Sequence, residues 1–410
     1  MIKRCLLVFV VLTLFVLLVP ACGGGGEEAT PTSIATPTAT PMPTATPTAA
    51  QTHTPTPTPA REPVKIGAIA DWSGPAALSG IYYANPVIKT VEKQVNDMGG
   101  ILGGRSVKVV KYDDRSSVAD AAGGVTKLVL DDKVSALVFG GARNTEANAI
   151  ADEAAKYKVL FVTLPPIDTA QNKYVIQATV PTRCIVDDTA KLVTDVLKPK
   201  TVALLGRNEE FDQKVTFPGW KKALEAAGIN IVYAELTPVG VLDFTPYLTK
   251  IKYYDPDVLI LEQGSEETVS IAKQIIELGG WGHTQVVAQS TALSAVKMAG
   301  AKGWLVMVLW YPGLDTPESV KFKEDFKAVN GKLPEINHVF YYFSLWAAIR
   351  AIELAGTAED TEAIARAARS GNLEFDSLVG NVHYTPDGDS GINGRFVQMQ
   401  GNGTIVPFKQ

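Results

Sequence analysis

Val64-Lys65-Ile66-Gly67-Ala68-Ile69-Ala70-Asp71-Trp72-Ser73-Gly74-Pro75 is the stretch from which the fold is read. Its first seven residues form an apolar run of strand length. Asp71 to Pro75 then makes a polar loop at the carboxyl end of that strand, and a helical run follows as far as Met98, where Gly99-Gly100 stops it. The same unit recurs downstream. Residues 106–111 read as a second strand and 136–139 as a third, which empties into Gly140-Gly141-Ala142-Arg143-Asn144-Thr145; residues 146–157 carry alanines at helical spacing, and 159–162 read as a fourth strand. Strict strand–helix alternation implies a parallel sheet covered by helices, because neighbouring parallel strands need a crossover between them. Ligands of such sheets sit beyond the carboxyl ends of the strands, so the loops at Ser73, Asn144 and Leu164-Pro165-Pro166 are expected to meet.

A second series of the same kind begins after a crossing segment at 174–180 and a helix at 182–197. Strands are expected at 201–205, 231–235, 258–261 and 285–288, and helices at 219–227, 244–251 and 265–278. Their exits carry Arg207 to Asp212, Glu262-Gln263-Gly264-Ser265 and Gln289-Ser290-Thr291. Two αβ units of similar size imply two lobes. Beyond Trp310-Tyr311-Pro312 the pattern changes to helices at 317–329, 339–354 and 361–369, then short strands at 380–384, 394–400 and 404–408. The aromatic cluster Phe340 to Trp346 reads mainly as helix packing, with one ring free to line a cleft.

The 410 residues are 46% hydrophobic and 20% charged, the balance of a soluble globular chain long enough for two domains. A net charge of -5 without a basic stripe argues against a nucleic-acid partner. Lys3 and Arg4 precede an apolar run from Cys5 to Val19, which ends in Val19-Pro20-Ala21-Cys22. That string resembles a bacterial lipoprotein signal; it implies removal of residues 1–21, lipidation of Cys22 and export, with the membrane touched by the lipid anchor only. From Ala29 to Ala60 the chain is almost entirely Thr, Pro and Ala without a charge, so residues 22–62 read as an extended tether that carries the folded body at the outer face of the cell membrane. With Cys5 and Cys22 assigned to this leader, Cys184 is left without an intramolecular disulfide partner and reads as a buried thiol.

Motifs of catalysis are not found. There is no G-x-S-x-G elbow, G-x-G-x-x-G fingerprint or Walker loop, and His53, His283, His338 and His383 have no metal-ligand spacing. Asp387 to Gly394 reads as a turn rather than a calcium loop, since Gly391 takes a ligand position. Neither an enzyme activity, nor a cofactor, nor a metal is therefore expected. What remains suits a small polar solute. Asn144 and Thr145 are good helix caps at a strand's exit, where unpaired N–H groups attract a carboxylate. Trp72 offers a ring for stacking or packing, Arg143 and Arg207 offer cations, and Gln263, Gln289 and Ser290 offer neutral donors and acceptors.

Three motifs taken together resemble the type I periplasmic binding proteins of the branched-chain amino-acid (leucine-binding) family of ABC transporters: Ile66-Gly67 through Pro75, Asn96-Asp97-Met98-Gly99-Gly100-Ile101, and Val110-Lys111-Tyr112-Asp113-Asp114. The likeness continues more weakly to Gly394-Arg395-Phe396. It implies two lobes with three crossovers at the hinge, the first at residues 63–182 plus 311–370 and the second at 183–310 plus 371–410. It also implies a monomer that closes around a solute and delivers it to ABC permease transmembrane subunits; a solute-sensing receptor module is the alternative. By the same resemblance, Asn144 stands where the family holds the ligand carboxylate, Pro165 and Ile167 where it meets the ammonium, Phe211 at the tyrosine of the second lobe and Ser79 at the aromatic flank. The acidic partner of the ammonium falls near Gln289 and Ser290, and the family's disulfide positions fall on Ser116 and Arg143. An uncompensated buried ammonium costs several kcal/mol, so a carboxylate, amide or aromatic acid is expected in preference to an unmodified amino acid, unless Glu262 or Asp71 supplies the missing charge.

Overall fold

The computed structural model describes residues 61–141, 143–181 and 184–408. The signal-like segment, Cys22 and the tether up to residue 60 lie outside the described residues. Among the described residues no helix is long and apolar enough to cross a membrane.

The first αβ series forms β1 (Val64–Ala70), α1 (Asn85–Asp97), β2 (Val107–Asp113), α2 (Val118–Leu130), β3 (Ala136–Phe139), α3 (Asn144–Tyr157), β4 (Leu160–Thr163) and β5 (Val175–Gln177). Its five strands lie in the order β2-β1-β3-β4-β5, all parallel. Next comes a helical stretch at 184–197, π-helical at both ends around a short α4 (Thr189–Lys191). The second series follows with β6 (Thr201–Arg207), α5 (Phe217–Ala226), β7 (Asn230–Thr237), α6 (Thr245–Tyr254), β8 (Val258–Leu261), α7 (Ser265–Glu277), β9 (Gln285–Ala288) and β10 (Leu305–Val308). Its strands run β7-β6-β8-β9-β10 in parallel, the same order as the first sheet, and antiparallel β13 (Arg395–Met399) and β14 (Ile405–Pro407) extend the far edge.

The central strands β3, β4, β8 and β10 are buried at every residue, because helices cover both faces of each sheet. On one face of the first sheet, Ile69, Leu137 and Phe161 pack with Leu128 and Ile150 of α2 and α3. The other face is covered by α1 and by α9 (Ile336–Ala355), which reaches it only after the chain has returned from the second sheet. Eleven of the 20 residues of α9 are buried, so its all-round hydrophobicity reflects burial between layers. One core cluster runs from Ile66 and Val138 through Ile349 to Leu204 and Ile260, so the two sheets share a continuous interior. Between β10 and α9 stands α8 (Pro317–Asn330), and between α9 and β13 stand α10 (Thr361–Ala368) and the hairpin β11 (Glu374–Ser377) and β12 (Gly380–His383). The hairpin rests on α8 and on Phe343 of α9.

Three strands lie where the sequence reading has none. Val175–Gln177 belongs to a segment taken only as a crossing, yet it pairs in parallel with β4; its three residues are too few for a periodic signal. Leu305–Val308 and Glu374–Ser377 are likewise strands that the sequence reading does not contain. Residues 385–394 turn back as expected, with Gly388 N donating to Thr385 O at 2.9 Å. Cys184 is fully buried, and its thiol donates to Ile392 O at 3.1 Å.

Candidate functional site

Because the two sheets repeat one strand order, corresponding loops face one another. The exits of β1, β3 and β4 and those of β6, β8 and β9 line a single cavity of about 410 Å³. From the first series come Ser79, Gly141, Asn144, Pro165 and Pro166, and from the second Arg207, Phe211, Glu262, Gln289 and Ser290. Tyr83, Phe340 and Tyr341 add rings.

On the first side, β1 ends at the fully buried Asp71 and the chain doubles back closely. A Cβ on Gly80 would come within 2.5 Å of the Asp71 carbonyl, so only glycine allows this approach. The turn places Ser79 with its hydroxyl donated to Asp71 Oδ2 at 3.1 Å and next to the Tyr341 hydroxyl. At the end of β3, Phe139, Gly140 and Gly141 take φ values of 84°, 99° and 74° in succession. A buried aromatic residue at positive φ is strained, and such strain collects at functional sites. The three residues swing the chain over a buried acidic floor, in which a Cβ on Gly141 would lie 2.7 Å from Glu146 Oε2 and 2.9 Å from Asp114 Oδ2. Burial first, then the charge of Asp71, pushes the Asp114 carboxyl up to about 7. Asp71 is raised too, chiefly by burial.

Arg143 is held by that floor. Its guanidinium donates to Glu146 Oε1 at 2.6 Å and to Ser116 O at 2.6 Å, and its backbone N–H donates to Glu146 Oε2 at 3.0 Å. The two positions implied as a disulfide are therefore neighbours, joined here by a side-chain-to-carbonyl hydrogen bond. Arg143, with extended backbone, is also the residue that caps α3; the expectation that Asn144 and Thr145 cap it is corrected, since Asn144 is already helical. Asn144 Nδ2 donates to Pro166 O at 2.9 Å, which leaves its Oδ1 as the acceptor for the cavity. Thr145 is exposed and stands outside the walls.

On the second side, Arg207 ends β6 among carboxylates: its Nη2 lies 3.3 Å from Glu209 Oε2 and 3.9 Å from Glu262 Oε1, and its Nε lies 4.0 Å from Asp212 Oδ2. Burial works against its charge, but Glu262, Glu209 and Asp212 together raise its pKa. Burial raises both Asp212 and Glu262, the latter helped by Asp212 and opposed by Arg207. Among the described residues, Arg207 Nε, Glu262 Oε2 and Gln289 Oε1 are buried without a hydrogen-bond partner. A buried polar group left unpaired costs about 1–3 kcal/mol, so three on one wall mark a surface built to be completed.

Of the residues singled out from sequence, Ser79, Asn144, Pro165, Phe211, Gln289 and Ser290 line the cavity. Trp72, Ser73, Arg143, Thr145, Ile167 and Gln263 do not. The Trp72 indole donates to Tyr112 O at 3.0 Å beneath Lys111, and the Ser73 hydroxyl donates to Asp113 Oδ2 at 2.6 Å. Ile167 packs into the core with Val175. The Gln263 amide donates to Gly206 O at 2.8 Å, behind the wall. Tyr83, Phe340 and Tyr341 join the walls without having been chosen individually. Glu262 was considered only as a substitute acid, although its place at the exit of β8 was signal enough.

Residues 63–404 match the family model described as periplasmic binding protein. A Leu/Ile/Val-binding protein, BraC3, of Rhizobium johnstonii is 28% identical over 350 residues, covering 80% of this chain and 89% of that one. Among solved structures, a leucine-binding protein from Thermotoga maritima superposes with a TM-score of 0.72 at 22% identity, over 84% of this chain and 98% of that one. A solute-binding protein of an ABC transporter from R. palustris, in complex with 4-hydroxybenzoate, gives 0.74 at 21% identity, over 85% and 96%.

Proposed function

Because this chain belongs to the periplasmic binding protein family, among its type I members of the branched-chain amino-acid branch, we propose that it closes two lobes around a small carboxylate-bearing solute and hands it unchanged to the transmembrane subunits of an ABC importer. The observation that carries this reading is the wall of Arg207 Nε, Glu262 Oε2 and Gln289 Oε1, buried and unpartnered at the exits of β6, β8 and β9. Arg207 supplies a donor for a carboxylate. Glu262, whose carboxyl is raised by burial and whose charge is already engaged by Arg207, and the neutral Gln289 suit a hydroxyl or amide better than an ammonium, which needs a free negative charge beside it. The rings of Tyr83, Phe211, Phe340 and Tyr341 suit a flat apolar body. An aromatic or hydroxylated acid therefore fits better than unmodified leucine or valine, and the R. palustris relative in complex with 4-hydroxybenzoate supports that class.

We take the lobes to be 63–182 with 311–370 and 183–310 with 371–410, and Cys22 to be the lipidated amino terminus of an exported, tethered protein. Mass spectrometry of whatever small molecule co-purifies, followed by a thermal-shift series with benzoate, 4-hydroxybenzoate, leucine and valine, tests the reading. A ligand at 100 times its Kd stabilises by about 2.7 kcal/mol, well within detection. The aromatic acids are expected to raise Tm. Stabilisation by leucine or valine alone overturns the solute class, and a chemically altered product overturns the binding function.

A further inference from the structure

A second cavity, of about 350 Å³, opens on the far side of α9, between that helix, α1, α8 and β11. Its lining is independent of the interlobe cavity: Phe340 and Tyr341 of α9 face the interlobe cavity, whereas Tyr342, Trp346 and Arg350 line this one. Those three are spaced four residues apart and so form one stripe of the helix. Three buried polar atoms here have no hydrogen bond of good geometry among the described residues: Trp346 Nε1, Arg350 Nε and Gln94 Oε1, with the Tyr342 hydroxyl standing close to the side chains of Trp346 and Gln94. Gln94 is only 9% exposed, and its other amide atom is committed, donating to Asp325 Oδ2 at 2.6 Å. The orientation of the amide is thereby set, and Oε1 can only accept. The Arg350 guanidinium lies 5.1 Å over the Trp346 ring and spends Nη1 on Glu353 at 2.7 Å, which leaves Nε as a donor. The rings of Tyr342, Trp346 and Phe375 supply apolar, flat-sided walls.

We propose that this cavity is a second small-molecule site, for a planar aromatic compound carrying a carbonyl or carboxylate oxygen at one end and an N–H or O–H at the other. The oxygen accepts from Trp346 Nε1 and Arg350 Nε, the donor serves Gln94 Oε1, and the ring lies among the aromatic side chains. The rim cations Lys93 and Lys321 are already paired with Asp97 and Asp325, so recognition rests on the placed donors and acceptor rather than on net charge. The volume suits a ligand of one fused ring system, at the lower end of ordinary binding pockets.

Calorimetric titration of the full chain with indole-3-acetate tests the assignment. The expected result is a binding event that Trp346→Phe and Gln94→Met each weaken roughly tenfold, while the interlobe variant Phe211→Ala leaves it unchanged. Naphthalene-1-acetate, which lacks the N–H for Gln94, is expected to bind correspondingly more weakly. A crystal soaked in indole-3-acetate is expected to show the indole between Gln94 and Arg350. Absence of binding heat, a binding signal that Trp346→Phe and Gln94→Met both leave unchanged, or a cavity holding only ordered water on those three atoms overturns the proposal.

Discussion

Arg207 and Asp114 illustrate how single side chains on opposite sides of the cleft are held in high-energy states. Arg207 lines the cavity as a cation whose Nε makes no hydrogen bond. Replacing it by methionine is expected to weaken carboxylate solutes roughly 10- to 100-fold, the worth of a hydrogen bond to a charged group, while a neutral amide analogue loses far less. Calorimetry with the acid and its amide measures the difference. Asp114 sits fully buried beside Asp71 and Glu146, and its carboxyl is pushed up to about 7. A carboxyl whose pKa is raised on folding keeps its proton after the unfolded chain has lost it. Its contribution to stability therefore falls as pH climbs from 3.8 to about 7 and is constant beyond. Asp114→Asn keeps the Oδ1 acceptor for Ser116 N and removes the titration. The variant is expected to be more stable than the parent at pH 8 by about 2 kcal/mol or more, with little gain at pH 4, as read by urea unfolding at the two pH values.

Among the elements, the loop after β3 carries the most local strain, with Phe139, Gly140 and Gly141 all at positive φ. A methyl group on Gly140 would also meet Phe161 Cζ at 2.5 Å. Gly140→Ala is expected to cost about 2 kcal/mol or more in unfolding free energy and to displace Asn144, so solute affinity falls along with stability. Elements of this kind explain what was legible in the sequence. The strands of a doubly covered sheet are continuous apolar runs, and each ends in a glycine-rich or polar exit, so β1, β3, β4, β6, β8 and β9 and the loops that build the cavity can be read directly. Residue roles within those loops were less legible. Trp72 and Ser73 occupy the right loop, yet Asp113 at the end of the neighbouring strand captures the backbone and hydroxyl of Ser73 and turns it from the cavity. Arg143 looks like a free cation until the buried Glu146, three residues on, claims it. The pairing of Arg207 with Glu262 joins exits 55 residues apart, and only the assembled sheet brings them together. The three-residue β5 is too short to carry a period.

At the scale of the molecule, two sheets of one strand order face each other across a cavity while sharing one core. Wall groups on both sides favour whichever arrangement lets a ligand touch both, so binding is expected to shift the population towards a more closed form. Small-angle X-ray scattering with and without a bound aromatic acid checks this: the radius of gyration is expected to decrease on binding, and identical curves at saturation count against closure.

Glu262, its pKa raised by burial beside Arg207, makes solute capture an acid–base event as well as a docking event. A bound carboxylate offsets the guanidinium that had favoured the ionised acid, so at mildly alkaline pH the protein draws a fraction of a proton from its surroundings. That proton comes from the buffer, whose own ionisation heat is then added to the signal. Enthalpies of capture measured in Tris and in phosphate at the same alkaline pH should therefore disagree, and the slope of apparent heat against buffer ionisation enthalpy counts the protons taken up.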